Sequence, residues 1–194
     1  MAFGERLSHK IGDDLVRSGI IKEDDADVYI YGINQIMSYV FNVSSSLIIG
    51  LIFGVTFEII IFMAAYIPLR MFAGGYHAKT PLRCYIFSVI MLIIVSIGMK
   101  YLCPADWVYY AVLAVSVVVI LALSPVEDKN KPLDEIEYRV YKKRTMLIAA
   151  VEVVLCFSLG LMKLHNFFAA LVYSFTVLDF MLIAGKVKNL FSDC

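Results

Sequence analysis

From residue 33 to residue 184 the chain is a succession of apolar stretches, parted by polar connections too short to fold on their own. Residues 33–69 are apolar apart from Asn34, Gln35, Asn42, a few hydroxyls and Glu58, and residues 50–56 interrupt them near the middle. A helix that crosses a bilayer needs about 20 mostly apolar residues, so this run reads as two spans joined by a tight turn. Four more stretches follow at residues 85–99, 108–123, 145–162 and 167–184. With 61% hydrophobic and 18% charged residues among 194, no single water-excluding core could hide the apolar surface. The sequence therefore predicts an all-α, polytopic membrane protein with six transmembrane helices. It forms one domain over residues 1–194, with the lipid bilayer as its solvent.

Charge placement tests that count independently, because the spans were drawn from apolar residues alone. Arg70, Lys79 and Arg83 fall in the second connection, Lys129, Lys131, Arg139, Lys142, Lys143 and Arg144 in the fourth, and Lys186 and Lys188 in the tail. The intervening connections hold only Lys100 and Lys163. Basic residues are retained on the cytoplasmic side, so the alternation puts both termini and residues 70–84 in the cytoplasm. A net charge of zero argues against nucleic acid as a partner, since phosphate binding needs a basic surplus. In the N-terminal region, residues 1–32, the stretch from Met1 to Asp27 mixes acidic and basic side chains without a long apolar run, which excludes a secretory signal. Within them Phe3, Leu7, Ile11 and Leu15 recur every fourth residue. That pattern predicts a cytoplasmic amphipathic helix, lying on the membrane surface or packed on the protein's own cytoplasmic face.

The four cysteines, Cys84, Cys103, Cys156 and Cys194, lack a CxxC spacing, and His9, His77 and His165 are far apart, so neither a metal nor another cofactor is expected. Chemistry concentrates in residues 70–84, the least lipid-like stretch between two spans, which holds the one close histidine and cysteine pair, His77 and Cys84. A thiol protease needs a thiolate nucleophile and an imidazole that helps ionise it and then protonates the leaving amine. On an unbroken helix seven residues would separate the two by roughly 10 Å, too far for contact. Pro81 supplies the break. Thr80 is a good N-cap and proline is favoured at the first helical position, so a helix should start there with Cys84 in its first turn. Unpaired amides, the macrodipole and Arg83 would favour an anion at that place. Gly74 and Gly75 can aim His77 or admit a substrate backbone.

The block at residues 70–84 resembles the accessory gene regulator B family, bacterial membrane endopeptidases that mature cyclic peptide pheromones. The resemblance also covers the chain length, the polar N-terminal stretch leading to Tyr31 and Gly32, and residues 125–132 with Asp128, Lys129, Asn130 and Lys131. It implies that His77 and Cys84 are the catalytic pair and that Arg70 and Gly75 support them. It further implies a substrate-docking role for Lys129 and Lys131, although this loop is thinner than a run of consecutive lysines. The partner it implies is a small quorum-sensing pheromone precursor peptide (AgrD-like), cleaved through a thioester and cyclised to a thiolactone or lactone, in the bacterial cell membrane. Residues 33–194 would be the transmembrane peptidase core, and a homodimer is the assembly the resemblance suggests; Gly50 and Gly54, four residues apart, offer a close helix contact or simply mark the turn.

Glu58, Glu152 and Asp179 are costly inside a membrane and so are functional candidates. Glu58 should reach water at the external end of its span, whereas Glu152 or Asp179 either orients His77 or pairs with a basic residue. Two rival readings use the same spans. A small transporter or channel subunit would employ those carboxylates and dispense with Cys84; an assembly protein would act through its N-terminal helix alone.

Overall fold

The structure, a computed structural model, describes residues 2–76, 80–127 and 133–191. His77, Lys129, Lys131 and Cys194 lie outside them. Seven α-helices occur among the described residues: α1 Ala2–Arg17, α2 Ala26–Phe53, α3 Thr56–Ala73, α4 Pro81–Tyr101, α5 Asp106–Leu123, α6 Glu135–Leu161 and α7 His165–Phe191. The last six are long and apolar enough to cross a membrane, as the apolar stretches predict. Several run past the predicted spans. α2 starts at Ala26 instead of residue 33, α6 at Glu135 instead of 145, and α7 continues to Phe191. Apolarity marks only the part of a helix that meets hydrocarbon; main-chain bonding carries on into polar ends. At α6 a capping box does this: the Asp134 carboxylate accepts the Glu137 amide at 2.7 Å and the Glu137 carboxylate accepts the Asp134 amide at 3.3 Å.

α7 is the axis of the bundle. It buries Phe168, Phe175, Leu178 and Leu182 among α3, α5 and α6, while small residues such as Ala170, Ser174 and Gly185 let neighbours approach closely. The other spans turn Ile52, Phe57, Val115 and Val154 outward, a surface that suits lipid.

Between α2 and α3 the chain reverses at Gly54, whose φ of 73° is a left-handed helix cap. Gly50 sits where a Cβ would lie 3.0 Å from the Thr56 Cα. Of the two readings of the four-residue glycine spacing, this is the one in which it serves the turn. α1 packs on α2, with Gly12 against Ile30.

α3 ends and α4 begins at one end of the bundle, called here the basic end. At the opposite end, α7 is tied to α3 by Asn166 donating to Glu58 at 3.1 Å and to α5 by His165 and Asp106 at 3.1 Å. Glu58 thus sits at a helix end, as expected.

Candidate active site

Cys84 is positioned by the local signals read from sequence. Thr80 is the N-cap of α4, its hydroxyl accepting the Arg83 amide at 3.3 Å, and Pro81 occupies the first helical position. The Cys84 amide donates to the Thr80 carbonyl at 3.1 Å, closing the first main-chain bond of the helix. The thiol is exposed, and it lies within electrostatic range of the Tyr66 hydroxyl on α3. Cys103 is also exposed, in the connection between α4 and α5, and Cys156 is fully buried.

The chain that leads to His77 is held almost entirely by main-chain bonds. α3 ends at Gly74, with φ 73° and ψ −146°, and Gly75 follows at φ 115°, values that residues with a Cβ rarely adopt. Ala73 and Gly75 form a bridge with Val126 from the α5–α6 connection: the Val126 amide donates to the Ala73 carbonyl at 2.9 Å, and the Gly75 amide donates to the Val126 carbonyl at 3.1 Å. The Tyr76 amide then donates to the Met181 carbonyl of α7 at 2.9 Å. Arg70, one turn from the end of α3, donates through its two terminal nitrogens to the Gly74 and Tyr76 carbonyls and is reached by the Tyr66 hydroxyl. One planar guanidinium thus clamps both ends of the glycine turn.

Side chains complete the frame. The Tyr76 ring packs 5.8 Å from Phe87 on α4, which brings the loop and the start of α4 together, and the Lys188 ammonium lies 5.5 Å above that ring. Arg144 stands 5.1 Å over Phe72, and Lys142 donates to the Ser124 carbonyl at 2.7 Å. Asn189 donates to the Glu127 carbonyl at 2.8 Å, fastening the α5–α6 connection to the end of α7.

Of the sequence-predicted residues, Arg70, Gly75 and Cys84 meet in this one region, whereas His77, Lys129 and Lys131 lie outside the described residues. Val126, Met181, Gly185 and Asn189 were missed. Gly185 is pressed against the loop so closely that a Cβ would lie 2.7 Å from the Gly75 carbonyl carbon. Only its glycine in an apolar helix could have hinted at a close approach. Glu152 is buried in α6 with one carboxylate oxygen unpartnered, and Asp179 is faced by Ser116 from α5. Neither forms an ion pair among the described residues, contrary to the expected basic partner, because the basic side chains of this half gather at the helix ends.

The class defined by these features is a multi-pass helical membrane protein with an exposed thiol at a helix start, beside a polar loop pinned to its central helix. The chain belongs to the AgrB family, described as Accessory gene regulator B, whose family model matches residues 6–184. It is similar to an AgrB-like protein of Clostridium perfringens strain 13, with 26% identity over 66% of this chain and 60% of that protein's length. An AgrB-like protein of Clostridium perfringens strain SM101 is 23% identical over 80% of this chain and 76% of its own. Protein FsrB of Enterococcus faecalis is 26% identical over 82% and 65%. No solved structure matches this chain.

Proposed function

We propose that this protein is a membrane cysteine endopeptidase that cleaves a small pheromone precursor peptide and promotes its cyclisation, with Cys84 and His77 as its dyad. The observation that carries the reading is the exposed Cys84 thiol at the start of α4, packed through the Tyr76–Phe87 contact against the loop that runs on directly into His77. Only three residues separate Tyr76 from Thr80, the N-cap of α4, in the sequence.

In this mechanism the Cys84 sulfur attacks a backbone carbonyl of the precursor, forming a carbon–sulfur bond. The scissile C–N bond breaks as the imidazolium of His77 protonates the departing amine, and the N-terminal part remains as a thioester. A cysteine or serine within the bound peptide then attacks the thioester, closing a thiolactone or lactone ring and freeing Cys84. Water at the same carbon would give an open acid, so the site must exclude it while holding the internal nucleophile near. Arg70 and the Gly74–Gly75 turn act by positioning His77, Lys129 and Lys131 take part in substrate docking, and the basic end of the bundle faces the cytoplasm of the bacterial cell.

Co-expression with the precursor, followed by gel analysis of precursor size, tests this directly. Cys84→Ser and His77→Ala should both leave full-length precursor; continued processing by either removes the dyad. A transport reading draws on the unpartnered buried oxygens of Glu152 and Asp179. It requires Cys84 to be dispensable, so the same experiment separates the two.

A further inference from the structure

α2 and α4 are out of step at the basic end. The Ser45 and Tyr85 hydroxyls, 2.6 Å apart, fix the relative height of the two helices. Beyond Ser45 toward the basic end, residues 26–44 of α2 supply about 28 Å of helix, whereas only residues 81–84 of α4 precede Tyr85, about 6 Å. α2 therefore projects about 20 Å past the start of α4, and the side of α2 that α4 covers at Ser45 continues beyond the level of Cys84.

That side is polar. Asn34, Ser38, Asn42 and Ser45 recur at four, four and three residues and so share one face of the helix, flanked by α1, which packs on α2 at Ile30. Its hydroxyls are occupied by the helix's own carbonyls, Ser38 donating to Asn34 at 2.9 Å and Ser45 to Phe41 at 2.7 Å. The amides keep capacity. Asn42 donates one N–H to the Ser38 carbonyl at 2.8 Å and leaves its oxygen open, and the Asn34 side chain has no hydrogen-bond partner among the described residues.

We infer that this stripe is a binding lane for the substrate, in which an extended peptide segment pairs its backbone with Asn34 and Asn42 on its way from the basic end down to Cys84. The inference rests on the protease reading above. An amide offers both a donor and an acceptor, as a peptide backbone does and a lipid tail does not. A second copy of the chain fits less well. It would meet α2 on the opposite side, where Ile36, Tyr39, Val40 and Val43 are exposed, while the stripe shares its side with α4.

The test uses the full chain in lipid nanodiscs with Cys103→Ser, Cys156→Ala and Cys194→Ser, so that Cys84 is its one thiol. Two probes alkylate it with loss of iodide: the peptide iodoacetyl-Gly-Ser-Asn-Gly-amide and iodoacetamide itself. Asn34→Leu with Asn42→Leu should slow the peptide about tenfold, the loss of two amide pairs, and leave the iodoacetamide rate unchanged. Asn34→Gln with Asn42→Gln should keep the peptide rate within about twofold. The lane is overturned if the leucine pair leaves the peptide rate unchanged, whether or not it splits a dimer, or if it slows both probes equally. Failure of the protease reading is seen separately, as precursor processing by Cys84→Ser.

Discussion

At Gly185 a Cβ would come within 2.7 Å of the Gly75 carbonyl carbon and 2.8 Å of the Tyr76 nitrogen, both main-chain atoms that cannot swing aside. Gly185→Ala should therefore push the loop off α7 and lower precursor processing at least about tenfold, while the protein still inserts and accumulates in the membrane; unchanged processing would show that the loop's seat on α7 is irrelevant. Arg70→Lys makes a sharper test of geometry than of charge. Lysine keeps the cation but not the planar fork that spans the Gly74 and Tyr76 carbonyls, so processing should fall although net charge does not. At Thr80 the expected loss is smaller. Thr80→Ala removes the cap on the Arg83 amide, destabilising the start of α4 by about 1 kcal/mol, and Thr80→Asn should restore it in a thermal melt in detergent.

Single elements divide into those whose cause is local and those whose cause is remote. The start of α4 was legible because cap, proline and thiol stand within five residues of one another. So was the α2–α3 reversal, although the partner of Gly50 was not: its spacing to Gly54 reads equally as a contact motif or as the turn until Thr56 and Ile59 are seen folded back against it. Gly50→Leu should accordingly destabilise the α2–α3 hairpin by about 1–3 kcal/mol, through overpacking, and lower the melting temperature. The site's frame was illegible for a related reason. Val126 and Met181 hold the loop through main-chain atoms and lie far along the chain from Gly75, and their side chains are ordinary buried apolar ones, so nothing in the sequence announces that bonding. Glu152 and Asp179 were recognised as costly, but their surroundings depend on which faces of α5, α6 and α7 meet, and apolarity on all sides of these helices conceals that.

Over the whole molecule, the alternation of basic and neutral connections predicts the orientation in the bilayer. A membrane-impermeant maleimide applied to intact cells should modify Cys103 and reach Cys84 only after permeabilisation, and Cys156, fully buried, should stay unmodified until the protein unfolds. The reverse order for the two exposed thiols would invert the topology. α7, the most buried of the six spans, joins the two ends: Asn166 and His165 anchor it to α3 and α5, and Met181, Gly185 and Asn189 meet the loop and the α5–α6 connection. That loop is stitched down through peptide groups, so what it asks of positions 126 and 181 is a correctly placed main chain, while their buried side chains answer to the core. Met181→Leu, which conserves volume in that core, should leave precursor processing largely intact in the same assay. A frame of this kind survives changes of side chain that keep the volume beneath it, because its bonds are made by groups that every residue but proline carries.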